Sequence, residues 1–264
     1  MKAFSTARHV AGGLFNALAE LGSVRMTPPR DMRAAAHRLA GALGTVARAH
    51  DLQVTIRGEV PRSVALIVSN HVSYLDPLVV LPICPALPVA KGEVASWPIV
   101  GPIGTALGTM FVRRDDPMSR ARVLRRIHDL LACGVPVLNF AEGTTTRGTS
   151  VGPFWRGGFG VAQRLGVPVV PVVIRYRDPE MAWCDGATFF PHYLRTAGQR
   201  RIEVAVVFGS PMHARTGETP EAMAARTRGV ISHLLDLTWW TDAGLRAQLS
   251  SPRPDPVLPP SRIT

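Results

Sequence analysis

The sequence predicts an α/β fold: a mixed, largely parallel central sheet flanked by helices, with an N-terminal two-helix hairpin. Three observations carry this. From residue 52 onward short β-branched runs alternate with helical stretches, the order that gives parallel strand pairing. Before them lie two stretches with apolar residues at helical spacing, separated by Thr27-Pro28-Pro29-Arg30. Two apolar runs then stop abruptly on polar residues, one at Asn70-His71 and one at Glu142. Strands that deliver side chains to the end of an open sheet read this way.

The elements follow in order. Residues 3–24 set Phe4, Ala7, Ala11, Leu14, Leu18 and Leu21 on one stripe, and residues 31–50 do the same with Met32, Ala36, Leu39, Leu43 and Val46. The paired prolines between them cannot continue a helix. Two readings of this hairpin stand. Both arms pack on the main domain, or they form a surface that dips into the lipid interface, helped by Lys2, Arg8, Arg25 and Arg30. Strands are expected over residues 52–58, 64–70, 87–90, 109–114, 135–140, 167–176 and 201–209. Helices are expected over 117–134, 157–166 and 219–240, the first stopped by Gly134. The domains are then a membrane-surface hairpin (1–50), an α/β domain (51–245) and a tail (246–264). Five of the last fifteen residues are proline, so the tail is expected to be disordered.

Composition narrows the function. The 264 residues are 46% hydrophobic and 19% charged, a globular balance, with a net charge of +11. Such a chain favours polyanions: nucleic acid, an anionic membrane surface or phosphorylated substrates. Of the 30 basic residues only Lys2 and Lys91 are lysine. Three cysteines at long spacings suggest neither a metal site nor a disulfide framework. The longest apolar candidate for a membrane span, Pro77–Ala90, has 14 residues and four prolines, too short and too broken to cross. No signal peptide is read at the N-terminus. The chain is expected on the cytoplasmic side of a membrane, peripheral or monotopic.

Chemistry concentrates where the apolar runs break. The strand ending at Ser69 delivers Asn70 and His71, with Asp76 five residues beyond His71. If that loop curls back, the carboxylate reaches one imidazole nitrogen, fixes the tautomer and leaves the other nitrogen to take a proton. The bland alternative makes Asp76 a helix cap and His71 a loop residue. The second break, residues 139–148, places Glu142 before Gly143 and three threonines, where backbone N–H groups can hold an anion. Against this stands a plain Gly-Thr loop with a chance acid. A third run ends in Arg113-Arg114, where one arginine can face a phosphate or both can be solvated.

Taken together and in order, Asn70-His71-x4-Asp76, Gly108-x2-Phe111-Val112-x-Arg114, Phe140-x-Glu142-Gly143-Thr144 and Val167-Pro168-x2-Pro171 resemble the motifs of the glycerolipid acyltransferase family, whose best-known members are 1-acylglycerol-3-phosphate acyltransferases. The resemblance implies that His71 is the catalytic base and Asp76 its partner, and Asn70 is expected among the substrate-binding residues. It implies acceptor-binding roles for Gly108, Phe111, Arg114, Glu142, Gly143 and Thr144, a phosphate-proximal role for Lys91, and structural roles for Pro168 and Pro171. The implied reaction moves a fatty acyl group from acyl-CoA or acyl-carrier protein to the free hydroxyl of a lysophospholipid, first of all 1-acylglycerol-3-phosphate. It needs no cofactor and no metal. Two departures matter. Ala141 stands where the family usually has proline, and Thr145 where it has an arginine that contacts phosphate. Relatives with a hydroxyl there include acyltransferases for lyso-ornithine lipid and lysophosphatidylcholine, and residues 175–194 are also similar to that branch. Arg147 and Arg156 are candidates to supply the missing charge.

Two other classes were weighed. Gly148-Thr149-Ser150-Val151-Gly152 fits the G-x-S-x-G pattern of serine hydrolases, with Ser150 as nucleophile. The arginine-rich helix 118–133 could track nucleic-acid phosphates, but no nucleic-acid motif accompanies it and few aromatics lie beside it. The expected partners are a lysophospholipid, the acyl donor and a membrane surface, without nucleic acid.

Overall fold

The computed structural model describes residues 2–184 and 186–238, with side chains described from residue 11 onward except that of residue 14. The tail 246–264 and the pair Trp239-Trp240 lie outside the described residues, as do the side chains of Lys2 and Arg8. Among the described residues seven strands form one sheet: β1 (Leu52–Arg57), β2 (Leu66–Ser69), β3 (Leu87–Lys91), β4 (Met110–Val112), β5 (Val137–Asn139), β6 (Val169–Tyr176) and β7 (Ile202–Phe208). Their order is β1-β7-β6-β2-β5-β3-β4. Every neighbouring pair is parallel except β6 with β7, so the sheet is mixed and largely parallel as expected. The four residues of β2 are all buried, as befits a central strand covered on both faces.

Proline limits β6 in an instructive way. Pro171 pairs in register with Val68 of β2, while the antiparallel ladder to β7 begins one residue later, at Val172. A residue without an N–H is tolerated where only one neighbour needs it.

Among the described residues there are eight α-helices: α1 (Lys2–Met26), α2 (Met32–Ala49), α3 (Asp76–Val80), α4 (Val100–Ala106), α5 (Pro117–Ala132), α6 (Gly157–Leu165), α7 (Phe189–Ala197) and α8 (Pro220–Leu237). Helices α4 and α7 were not anticipated. α4 is seven residues long and carries Gly101, Pro102 and Gly104, a composition that reads as loop. A Cβ on Gly101 would lie 2.1 Å from the Ala95 carbonyl oxygen, so glycine is required there by close backbone approach.

Both arms of the hairpin pack on the main domain. Asp31 caps α2 by accepting from the Ala34 N–H at 2.7 Å, and α2 buries Ala35, Ala36, Leu39, Ala40 and Ala47. Arg38 clamps α1 onto it through Glu20 (2.6 Å) and Ser23 (2.7 Å). The opposite face of α1 exposes Phe15 and Leu18, with Met26 at its end. Among the described residues no helix is long and apolar enough to cross a membrane.

Candidate active site

The site is built at the carboxyl ends of β2 and β5, adjacent in the sheet. Just past Ser69, Asn70 is wholly buried. Its side-chain amide donates to the Ile174 carbonyl at 2.9 Å and its oxygen accepts from the Ile174 N–H at 2.8 Å. The side chain thus extends the β2–β6 ladder after the backbone has turned away. Both of its polar ends are engaged inside the protein, so it shapes the loop rather than facing a ligand.

That turn brings His71 back onto Asp76. Nδ1 lies 2.7 Å from Asp76 Oδ2. The same oxygen accepts from the backbone N–H groups of Val72 (2.7 Å) and Ser73 (3.0 Å), and Oδ1 accepts from the Tyr176 hydroxyl at 2.9 Å. A carboxylate with no exposed surface is tolerable only when its lone pairs are satisfied in this way. Asp76 is the first helical residue of α3, whose cap position is Leu75; its carboxylate reaches backward to the loop and is not a helix cap. With Nδ1 donating to Asp76, Nε2 of His71 is left as the acceptor, and it makes no hydrogen bond to any described residue. The ring stacks on Phe140, centroids 4.1 Å apart at 17°, and its side chain is 17% exposed.

Glu142 works on the backbone. Oε1 accepts from the His71 N–H at 3.0 Å and Oε2 from the Gly152 N–H at 2.8 Å. Burial pushes this carboxyl above its ordinary range, against the pull of those two N–H groups. The His71 carbonyl in turn accepts from the Thr146 N–H at 2.8 Å. The loop after β5 therefore grips the histidine backbone at both its N–H and its carbonyl. At Gly143 the backbone has φ +74°, and an added Cβ would lie 2.9 Å from Trp155 Nε1 and 3.5 Å from Arg114 Nε. Arg114 and Trp155 thus flank the glycine next to Glu142. Burial lowers the affinity of the Arg114 guanidinium for its proton, offset by the charge of Glu93.

The other sequence-named residues lie on several strands and loops. Lys91 ends β3, is exposed and pairs with Glu93 at 2.9 Å. Gly108 takes φ +85° in the turn feeding β4. Phe111 packs against Gly104 of α4 and offers apolar contact only. Thr144 is exposed at the mouth of the loop. The Thr145 hydroxyl donates to the Trp183 carbonyl. Arg156 is paired with Glu221 at the start of α8, and Arg147 is exposed on the loop. The hydrolase alternative fails on geometry. Ser150 is exposed in a bend, and the next helix, α6, begins seven residues later at Gly157, so no strand–serine–helix elbow exists.

Sequence reasoning gave no site role to Tyr176, Gly152 and Trp155, and took Phe140 only as the first residue of the third motif. Phe140 was visible as the last residue of its apolar run. Tyr176 lay unnoticed at the end of β6.

Comparison with known proteins agrees with this architecture. The model of the Acyltransferase family matches residues 51–175. A lyso-ornithine lipid O-acyltransferase of Rhizobium meliloti is 31% identical over 208 residues, covering 70% of this chain and 71% of the relative. A Pseudomonas aeruginosa protein of the same name is 37% identical over 135 residues, covering 51% of this chain and 52% of the relative, so the match spans about half of that protein's length. In three dimensions the chain resembles the 1-acyl-sn-glycerophosphate (LPA) acyltransferase PlsC from Thermotoga maritima, with a TM-score of 0.65 over 92% of this chain and 100% of the other. At 21% identity that likeness speaks for the fold. The α/β sheet and these matches together define an acyltransferase. This chain belongs to the acyltransferase family.

Proposed function

We propose that the protein transfers a fatty acyl group from an acyl thioester to the free hydroxyl of a lysolipid, with His71 as general base. The observation that carries this reading is the His71–Asp76 pair at 2.7 Å, with Nε2 left over as acceptor. In the step, Nε2 takes the hydroxyl proton as the new C–O bond forms and Asp76 supports the imidazolium. The C–S bond then breaks, and the departing thiolate takes the proton from the imidazolium. A thioester leaves readily, so the step requires neither a metal nor an acyl-enzyme.

For the acceptor we favour a lyso-ornithine type of lipid. Thr145, at the position where phosphate-using members carry arginine, brings no charge and spends its hydroxyl on the Trp183 carbonyl. Arg156 is held by Glu221 and cannot stand in for that arginine without leaving its partner. The relatives named above as lyso-ornithine lipid O-acyltransferases point the same way. A second reading, 1-acylglycerol-3-phosphate, draws on Arg114 beside Gly143 and on Lys91, two cations suited to a phosphate. The exposed apolar face of α1 supports docking on the cytoplasmic face of an anionic membrane.

One experiment tests all of this. The purified protein is incubated with palmitoyl-CoA or palmitoyl-carrier protein and vesicles that carry lyso-ornithine lipid, 1-acylglycerol-3-phosphate or lysophosphatidylcholine. Products are identified by mass spectrometry. Diacylated ornithine lipid formed fastest is the expected result, and no acylated product from any acceptor would end the reading. Protein left in the supernatant after the vesicles sediment would end the docking part.

A further inference from the structure

The arginine-rich helix noted in the sequence is not used by the chemistry above, and the structure gives it a place. Between α4 and α5, along the outer edge of β4, lies a groove of about 580 Å³, within the size range of small-molecule sites. Three arginines line it, Arg113, Arg122 and Arg126, together with the hydroxyl residues Thr105, Thr109 and Ser119. Arg122 and Arg126 stand one helical turn apart on α5 and share a face. Asp116 sits 2.8 Å from Arg113 and 3.6 Å from Arg122, offsetting one of the three charges. Among the described residues no carboxylate pairs with Arg126, which rests on the Met32 thioether at 2.9 Å. Ser119 Oγ already accepts from the Arg113 N–H at 3.0 Å, so its own proton can be donated. The groove offers hydroxyl donors and a net positive charge, the chemistry that recognises a phosphate.

We propose that this groove holds the phosphate of the acyl donor, the one at the head of a phosphopantetheine arm. The inference rests on the thioester reading above and adds the place where the donor is gripped. Adjacent arginines divide the two substrates: Arg114 lies against Gly143 and Trp155 in the catalytic centre, while Arg113 lines the groove. The reach also fits. β4 stands three places from β2 in the sheet, roughly 14 Å at about 4.8 Å per strand. Arg113 follows β4 as His71 follows β2, and the intervening pairs are parallel, so both lie at the same end of the sheet. A phosphopantetheine arm is about as long as four extended residues, roughly 14 Å.

The test compares donors that carry the phosphate with one that lacks it. Palmitoyl-CoA, palmitoyl-carrier protein and palmitoyl-N-acetylcysteamine are used with the unchanged enzyme, with Arg122→Glu/Arg126→Glu and with the milder Arg122→Gln/Arg126→Gln. Both positions are exposed, and circular dichroism checks that the fold survives. KM for palmitoyl-CoA should rise at least about tenfold, the loss of one charge-assisted contact, with kcat and the lysolipid KM unchanged. KM for the truncated thioester should not move. A matching rise for the carrier protein would show that it uses the same groove; a rise for CoA alone would assign the groove to the nucleotide-bearing donor. Arg125→Glu, on the same helix but outside the groove, should behave like the unchanged enzyme. An unmoved KM for both phosphate-bearing donors, or an equal rise for the truncated thioester, overturns the proposal. Should the unchanged enzyme form no product at all, the function fails separately. Calorimetric binding of CoA to the same variants then decides the groove, with unaltered affinity counting against it.

Discussion

The loops after β2 and β5 each bury one carboxylate, and they use it differently. Asp76 collects three of its four donors from the preceding five residues, and one of them is the His71 ring. Glu142 takes one N–H from 71 residues away and another from ten residues ahead, both from backbone. The first carboxylate orients a proton acceptor. The second fixes where the backbone carrying that acceptor lies. Hydrogen bonds to a charged group contribute about 1.5–3 kcal/mol each, so both loops are held firmly. Only the first touches the ring proposed as the general base.

The largest expected effect comes from removing the ring. His71→Ala should lower kcat by roughly 10²–10⁴, the usual share of general-base catalysis, with little change in Tm because the ring is partly exposed and Asp76 keeps three other donors. Steady-state kinetics beside a thermal melt checks it. Retained turnover would remove the distinction between the loops, since neither would then set the chemistry. Next comes Glu142→Gln. The amide keeps one acceptor and turns its NH₂ toward an N–H, which leaves a buried donor unsatisfied at about 1–3 kcal/mol. Activity and Tm should fall together here, in contrast to His71→Ala. A variant that loses turnover while its melt stays put would place Glu142 in contact with substrate.

The same contrast explains what was legible in the sequence. His71 and Asp76 are five residues apart, so their meeting is a local turn and pattern alone suggests it. The partners of Glu142 and the contact of Tyr176 with Asp76, 100 residues apart, arise only when β2, β5 and β6 are side by side. No spacing rule encodes such a contact. The strands were readable because buried parallel strands need β-branched runs. Helix α4 was hidden by its glycines and proline, and α7 by Pro191 near its start. On α1 one apolar stripe was read, yet Leu21 packs against the core while Leu18 of the same stripe faces outward. An apolar stripe says that a face is covered and does not say by what.

The smallest effect, and the sharpest probe of the first loop, is Tyr176→Phe. The hydroxyl donates to Asp76 Oδ1 at 2.9 Å from a buried position, and burial together with the nearby Asp76 raises its pKa well above the ordinary tyrosine value, which keeps it a donor. Phenylalanine fills almost the same volume, so packing is conserved and the change isolates one hydrogen bond. Losing it leaves Oδ1 without its donor, while Oδ2 still holds His71 and the two backbone N–H groups. The carboxylate can then tilt, and the imidazole with it. We expect kcat to fall about three- to tenfold, within the range of a single hydrogen bond, with KM for both substrates unchanged and a small drop in Tm. A purely structural tyrosine would lower Tm and leave kcat per folded molecule where it was. That result would confine the catalytic role of Asp76 to the oxygen facing His71, and the other oxygen would be part of the scaffold, as both oxygens of Glu142 are.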